Sequence, residues 1–296
     1  MKLDVEQLPT LLTVLEQDFP ASLNVYHLAR SIVQQKLAWP GLEFYVDAFP
    51  DVNACVCRTA SGTDQNVGPK FAFGSAVFPY SKDPQKLLLL MQEEGVINWT
   101  ERFRFCHVRK PSDLIVVEEA CLLHGKPEKQ NEGCGPCVIV HFDLRNIALS
   151  YTLPDGFYLG PLKTEHANQI VKDKHYEFPD VALDYFHYLF QSGFPSVAIF
   201  EATTNRPIAY IALRPEGKLG IGFVAPEFRA RGFYKIVCFE LLKQLRDAGE
   251  TEANSNMNPA NSSSLHAMLR IGATMHDEQF QWLDFIPATA ADKTLE

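Results

Sequence analysis

Four residues between a predicted strand and a predicted helix, Arg229, Ala230, Arg231 and Gly232, have the types and spacing of an anion-binding turn. The first turn of a helix presents backbone N–H groups without intrahelical partners, and the helix dipole adds positive potential there. Glycine lets a ligand approach the backbone closely, and the arginines add charge. The segment therefore predicts a phosphate-binding site, although so short a motif also occurs at ordinary strand–helix corners.

A second motif begins at Asn261, roughly one helix and one strand after the first. An asparagine followed by serines is typical of a helix N-cap. Leu265, Met268 and Leu269 lie on one side of the predicted helix, and Gly272 ends it. The pair of motifs, in this order, is more specific than either alone.

R-x-x-G at a strand–helix corner, followed by N-x-x-S-L-x-x-M-x-x-x-G-A, resembles the GCN5-related N-acetyltransferase (GNAT) superfamily. The resemblance implies a GNAT fold, a mixed central sheet flanked by helices, in the C-terminal half. It implies that the first motif holds the pyrophosphate of coenzyme A and that the asparagine helix flanks the pantetheine and acyl group. Two positions depart from the pattern: Tyr234 replaces the usual second glycine, and Met268 stands where many members have a tyrosine acid.

Segments spread over most of the chain, from about Phe19 to Gly232, resemble more narrowly the glycine N-acyltransferase family and its paralogues. The segments are F-P-A-S-L-N-V-Y (19–26), F-P-D-V-N (49–53), Y-S-K-D-P-Q (80–85), V-I-N-W (96–99), F-P (194–195) and A-P-E-F-R (225–229). This resemblance implies acyl transfer from a CoA thioester to a primary amine, usually glycine. Acyl-CoA would be a co-substrate, with no permanently bound cofactor. It also implies that the α/β first half is a degenerate GNAT-like copy.

The residues expected to bind acyl-CoA follow from these motifs. A backbone N–H of Val224 or Ala225 would stabilise the oxyanion of the tetrahedral intermediate. The full set is Phe223, Val224, Ala225, Arg229, Ala230, Arg231, Gly232, Phe233, Tyr234, Asn261 and Ser264.

The catalytic base is the weakest part of the pattern. The glutamate that the resembled family proposes as base falls on Lys218, and a lysine accepts a proton only if burial strongly lowers its pKa. Glu216, two residues earlier, would share a face with Lys218 in a strand, which makes it our candidate base. The sequence P-E-G-K also forms a good turn, and that interpretation favours an exposed Glu216. Water or a group from the first domain would then serve as base.

The elements that position these residues divide into two predicted domains, an N-terminal α/β domain at 1–150 and a GNAT domain at 151–296. Hydrophobic periodicity predicts helices and strands in both. The predicted helices are 5–19, 26–35, 83–94, 164–176 (with Thr164 as cap), 180–191, 233–249 and 261–272. The predicted strands are 44–46, 54–56, 71–73, 157–162, 196–200, 207–213, 219–225, 251–257 and 274–285.

Composition limits the partners. The chain has 296 residues, a formal net charge of −9 and a pI near 5.5, which disfavours nucleic acid. No apolar run is long enough to span a membrane. The acidic N-terminal segment argues against a mitochondrial presequence, so we expect a cytoplasmic protein, although the mammalian relatives implied by the resemblance are mitochondrial. The sequence gives no oligomeric state.

The cysteines and histidines offer little further chemistry. The seven cysteines are expected to stay reduced. Cys134 and Cys137 form a C-G-P-C motif, but a strand pattern follows it, so a loop or hairpin turn is favoured over a redox site. The histidines lack metal-ligand spacing, and no metal site is expected.

The leading function is therefore CoA-dependent N-acylation of a small amine or amino acid. A non-catalytic acyl-CoA-binding protein is the first alternative, since a binder needs no base near the Glu216–Lys218 strand. Protein N-acetylation is the second.

Overall fold

The computed structural model describes residues 1–34, 41–60, 71–72, 74–129, 136–148, 150–176 and 178–288. The α-helices in these ranges are α1 (Leu8–Glu16), α2 (Leu23–Val33), α3 (Pro84–Gln92), α4 (Ser112–Leu122), α5 (Ala167–Lys174), α6 (Pro179–Gln191), α7 (Phe233–Asp247) and α8 (Ser262–Ile271). The strands are β1 (Leu42–Val46), β2 (Ala54–Thr59), β3 (Ala76–Ser81), β4 (Phe103–Arg109), β5 (Gly125–Lys129), β6 (Cys137–Asp143), β7 (Phe157–Gly160), β8 (Ser196–Glu201), β9 (Pro207–Leu213), β10 (Leu219–Val224), β11 (Glu252–Met257) and β12 (Thr274–Pro287).

Two compact units make up the chain. The first consists of Met1–Cys137, Asp180–Tyr185 and the residues from Glu278 onward, and the second of Val138–Pro179 and Phe186–Asp277. The domain boundary expected near residue 150 stays a prediction, because compactness does not test which segment folds on its own.

A mixed sheet forms the first unit. β1, β2 and β3 are antiparallel neighbours, whereas β4 pairs with β3 in parallel and with the C-terminal part of β12 antiparallel. Apolar side chains of α3 and α4, among them Leu87, Leu90 and Val117, pack in one core with this sheet. Arg104 and Asp284 form a buried ion pair across β4 and β12.

An antiparallel sheet in the order β10-β9-β8-β7 forms the centre of the second unit. One face is covered by α7, whose buried side chains Val237, Leu241 and Leu245 share a core with Ile211 and Leu219 of the sheet. Because strand side chains alternate, Lys218 and Gly220 lie on the opposite face from Leu219. β11 pairs antiparallel with β6, and Ala253 and Met257 join the same core.

Both units follow the same order of elements along the chain. In the second unit β7 pairs with β8, and the two strands are separated in sequence by α5 and α6. β9, β10, α7, β11 and α8 then follow. In the first unit the bridge Lys2–Tyr45 takes the place of β7, and α1, α2, β1, β2, β3, α3, β4 and α4 follow. The order of elements thus shows an internal repeat, although no repeat is visible in the sequence.

The structure confirms most predicted elements and corrects two. Thr164 does not cap an α-helix: it begins a 3-10 turn, and α5 starts at Ala167, after Nδ1 of His166 has accepted a hydrogen bond from the Lys163 N–H at 2.9 Å. The strand predicted at 71–73 is absent from its described part, where Phe71 makes only an isolated bridge to Gly74. Phe73 lies outside the described residues.

Within the described ranges, no helix combines the length and the apolar character needed to cross a membrane. Cys137 is a buried free cysteine at the start of β6, and Cys134 lies outside the described residues.

Candidate active site

A β-bulge bends β10 near its middle. The register with β9 runs from Leu219↔Leu213 to Val224↔Ala209 and shifts by one residue between Gly220 and Phe223. Ile221, inside the bulge, has a φ of 52°, which is rare for a β-branched residue. A bulge increases local twist and re-aims the strand that carries it. The second half of β10 therefore does not continue in the direction that a regular strand of this sheet would take.

β10 separates from β11 almost as soon as they meet. The ladder contact that the described residues show between them is an isolated parallel bridge, Lys218–Asn254. One residue further, the hydroxyl of Ser255 donates to the carbonyl of Leu219 at 2.7 Å, where a backbone amide would continue a regular ladder. The two strands thus leave an opening beyond Lys218.

The backbone of Val224 faces that opening. Ala225 N–H donates to Ile208 O at 2.8 Å, which makes this a hydrogen-bonded pair of the β9–β10 ladder. The preceding pair, Val224–Ala209, is then non-hydrogen-bonded, so its peptide groups point away from β9. The carbonyl of Val224 accordingly accepts from Nε of Arg229 at 3.1 Å. Of the two expected oxyanion donors, Ala225 is engaged by Ile208, and Val224 keeps an outward N–H.

The turn before α7 is shaped as an anion cradle. Ala230 and Gly232 both have left-handed backbones, with φ of 62° and 81°, and alternation of this kind turns successive N–H groups to one side. No side chain caps the first turn of α7. A Cβ on Gly232 would meet no atom within 4 Å, so the space in front of the helix is open. The local geometry agrees with the phosphate-binding turn expected from the sequence.

Basic side chains surround this turn. Arg229 and Arg231 are exposed, and the Arg231 guanidinium lies over the Phe228 ring at 5.4 Å. Arg206 lies over the same ring at 5.7 Å and pairs with Glu227 at 2.6 Å. Sequence reasoning missed Arg206, because only the β8–β9 turn brings it to a segment more than twenty residues away in the chain.

The three aromatic residues expected to bind the cofactor lie in different environments. Phe233 is buried in the core against Phe157, with ring centroids 4.9 Å apart, so it supports the turn from behind. Phe223 stacks on Tyr210 at 5.2 Å. Tyr234 covers Gly222 so closely that a Cβ there would lie 2.8 Å from its ring. A second glycine at position 234 would leave this part of β10 uncovered.

Asn261 is the N-cap of α8. Its side-chain oxygen accepts from the Ser264 N–H at 3.3 Å, and Asn261 itself is exposed. Met268, at the position of the tyrosine acid, is buried in the core. A capping role for Asn261 is established by this geometry, and contact with a ligand stays a prediction.

The helix of the first unit that corresponds to α7 has no such open end. The side chain of Asp83 caps α3 by accepting from the Gln85 N–H at 2.9 Å. A carboxylate at a helix N-terminus satisfies the orphan N–H groups and repels a phosphate. The anion cradle is therefore a feature of the second unit.

The expectation that Glu216 lies exposed in a turn is wrong, because Glu216 and Lys218 are both buried. The turn exists, but Glu216 is 0% exposed, Lys218 2% and Asn254 3%. The Glu216 carboxylate lies 2.7 Å from Nε of Arg214. The chain of Arg214 lies across Gly220, where a Cβ would come within 2.5 Å of Arg214 Cδ. The Arg214 side chain therefore folds back over the hairpin.

The amine of Lys218 is buried, and no described residue accepts a hydrogen bond from it. Among the residues that the structure describes, neither its Nζ nor Oδ1 of Asn254 has a hydrogen-bond partner. Burial lowers the pKa of Lys218 to about 7, and the charge of Glu216 opposes part of this shift. Neutral and protonated forms of Lys218 are therefore both populated near neutral pH.

Comparisons with known proteins bear on this site. Residues 3–116 match the model of the aralkyl acyl-CoA:amino acid N-acyltransferase family, which is less than half of the chain. No curated protein sequence matches this chain. The X-ray structure of a Drosophila melanogaster protein is similar with a TM-score of 0.78 at 17% identity, over 98% of this chain and 99% of that one.

Two further similar structures are named as GNAT proteins. A tandem GNAT protein from the clavulanic acid biosynthesis pathway gives a TM-score of 0.59 at 12% identity, covering 98% of this chain and 99% of its own. A GCN5-related N-acetyltransferase from Kribbella flavida gives 0.55 at 14% identity, covering 92% and 96%. The chain has the GNAT fold.

At these identities structural likeness shows the fold, and the family match adds the sequence resemblance of the N-terminal region. The resemblance drawn from the sequence is confirmed. Together the matched family and the GNAT neighbours support an acyl-CoA N-acyltransferase in general.

The buried Lys218 should make the protein less stable than a variant with an apolar side chain at this position. With a pKa of about 7 in the folded state against 10.5, the folded protein binds fewer protons than the unfolded chain between those values, so stability falls as pH falls through that window. Lys218→Met should raise the free energy of unfolding by about 2 kcal/mol at about pH 6 and by less at about pH 10. Chemical denaturation at both pH values measures this.

Lys243→Met, at an exposed position of α7, is the control and should change stability little at either pH. Equal destabilisation by Lys218→Met at both pH values would contradict the prediction, because it would mean that the ammonium is well paired in the fold.

Proposed function

We propose that the protein is a CoA-dependent N-acyltransferase that moves an acyl group from acyl-CoA to a small amine or amino acid of the glycine kind. The observation that carries this proposal is the uncapped N-terminus of α7 beside the outward-facing edge of β10. One feature can receive a pyrophosphate and the other an extended amide-containing arm. The family match in residues 3–116 supports the same reaction class.

In this proposal the pyrophosphate of CoA binds the first turn of α7. The backbone N–H groups at Gly232, Phe233 and Tyr234 would donate to it, with Ala230 shaping the turn. Arg229 and Arg231 would supply positive charge against the overall negative charge of the chain, −9.

The pantetheine arm would then lie along the free edge of β10. Its amides could pair with the outward peptide groups of Val224, much as an added strand would. The thioester carbonyl would be polarised by the Val224 N–H as negative charge develops on its oxygen. Phe223 and Ala225 would line the path from the strand side, and Asn261 and Ser264 would flank it from α8.

A proton acceptor is also required, because an amine is mostly protonated at neutral pH. Glu216 and Lys218 are the buried candidates beside the opening. Both fit the proposed function, and the choice between them is a separate question.

A CoA-release assay tests the proposal. Purified protein would be incubated with acyl-CoAs of graded chain length and with a panel of small amines and amino acids, and free thiol and N-acyl product would be measured. Amine-dependent CoA release with formation of the amide is expected. Tight acyl-CoA binding without turnover on any amine would instead indicate a binding protein, and amine-dependent acylation only of a polypeptide N-terminus or lysine would indicate a protein acetyltransferase.

The pyrophosphate cradle predicts a charge effect at Gly232. Asparagine and aspartate both tolerate the left-handed backbone found there and have the same shape, and the space in front is open. Gly232→Asp should therefore weaken CoA binding at least about 10-fold more than Gly232→Asn, since only aspartate places a negative charge at the cradle. Calorimetry with CoA at low and high salt measures this. Equal affinities for the two variants would exclude the cradle.

The N-cap of α8 predicts a second, separable effect. Asn261→Ala and the matched Asp83→Ala each remove a capping side chain, so each should lower stability by about 1 kcal/mol. Only Asn261→Ala should also lower acyl-CoA affinity, because Asp83 caps the helix without a cradle. Melting temperature and calorimetry separate the two effects. If both variants keep wild-type affinity, Asn261 is a cap alone.

A further inference from the structure

We propose that Lys218 is the general base of this protein, taking up a proton from the ammonium group of the acceptor. The inference rests on the proposed function. It assigns to a lysine the role for which a carboxylate would ordinarily be sought.

The position of Lys218 is the first argument. Lys218 is the residue immediately before β10 and makes the isolated bridge to Asn254 of β11, so it stands where the separation of the two strands begins. The face that carries it lies opposite the α7 core, together with Gly220. Val224, whose N–H would polarise the thioester carbonyl, lies six residues further along the chain, so the long side chain of Lys218 would extend along β10 to reach the acceptor.

Burial without a hydrogen-bond partner is the second argument. Lys218 is 2% exposed, and Asn254 across the bridge is 3% exposed with an unpartnered Oδ1 in the part of the chain that the structure describes. A buried amine and a buried amide oxygen without partners are costly to the fold unless they serve a ligand. Asn254 Oδ1 can accept a hydrogen bond from the ammonium of the acceptor while Lys218 removes its proton.

Protonation is the third argument. With its pKa lowered to about 7 by burial, Lys218 is substantially neutral at neutral pH and carries a lone pair. The charged or titratable groups nearest this face are Glu216 and Arg214 in the turn, Asp173 and Lys174 on α5, Tyr210 on β9, Glu252 on β11 and His141 on β6. Of these, Glu216 acts on Lys218, and its charge raises the pKa toward its ordinary value.

Glu216 is placed for a different role. Its carboxylate lies 2.7 Å from Arg214 Nε, so its negative charge is held in an ion pair. A proton taken by Glu216 would remove the negative charge that attracts the Arg214 guanidinium. We therefore assign Glu216 a positioning role, in which its pair with Arg214 closes the turn over the side of β10 that carries Lys218.

The proposed step moves two protons and one acyl group. Lys218 Nζ takes one proton from the acceptor's ammonium, and the freed nitrogen lone pair forms a C–N bond with the thioester carbonyl carbon while the C=O π electrons move to oxygen. When the C=O bond re-forms, the C–S bond breaks and its electron pair leaves with the CoA sulfur. The nitrogen loses its second proton, which neutralises the thiolate, and Lys218 releases its own proton to solvent.

The test uses the best acyl-CoA and amine found in the panel. For wild-type protein kcat/KM should rise with pH through about 7 and level off above it. Lys218→Met should lower the plateau by about 10²–10⁴-fold. Lys218→Arg keeps a positive charge that cannot be removed at these pH values, and it should be equally impaired.

A neutral acceptor separates base catalysis from structural damage. Trifluoroethylamine is unprotonated throughout this pH range because fluorine withdraws electron density from its nitrogen. Each variant is compared with wild type on the same acceptor. The Lys218→Met defect should shrink to within about 10-fold on this amine, because the first proton transfer is no longer needed. A defect of equal size on both amines would overturn the proposal.

Glu216→Gln provides the second variant. Removing the charge that raises the pKa of Lys218 should move the rise in kcat/KM to lower pH, and this shift is the readout for the variant. Loss of the plateau in Glu216→Gln, with Lys218→Met active, would make Glu216 the base and overturn the proposal. Failure of the wild type on every amine would reject the proposed function itself, whereas full activity of a folded Lys218→Met protein rejects only this inference.

Discussion

The early separation of β10 from β11 is the constraint on which the site depends. A regular parallel ladder would occupy the outward peptide groups of β10 with backbone partners. Here one bridge is made at Lys218, a serine hydroxyl completes the next position, and a bulge turns the strand away. Residues of both strands are packed in the core that α7 covers. The edges of β10 and β11 that face each other can therefore stay unpaired without unfolding the unit.

The two units show how a small local change decides whether a helix end can serve a ligand. Their elements follow the same order, and α3 and α7 are each the first α-helix after the last strand of an antiparallel run. Asp83 fills the end of α3 with its own carboxylate, whereas Gly232 offers α7 no side chain at all. An anion can enter only where the helix does not supply one.

Under the proposed function, the buried polar groups Glu216 and Lys218 weaken the fold and supply the proton chemistry. Glu216 and Lys218 are buried, and the Arg214 side chain lies across Gly220, where a Cβ would collide with it. Desolvation that weakens the fold also brings the pKa of Lys218 into the range where a lysine can exchange protons. A structural network would be expected to satisfy these groups internally.

The sequence by itself determined the features that short-range rules control. The glycine turn at 229–232, the start of α8 at Asn261 and the apolar stripe of α7 depend on residues a few positions apart, so their patterns can be read directly. Tertiary structure alone decided that Glu216 and Phe233 are buried. It also brought Arg206 to the turn and paired the Ala225 N–H with the Ile208 carbonyl. Those outcomes depend on strand pairing and on desolvation by residues remote in sequence. Neither appears in a local pattern, and the pKa of Lys218 follows from them.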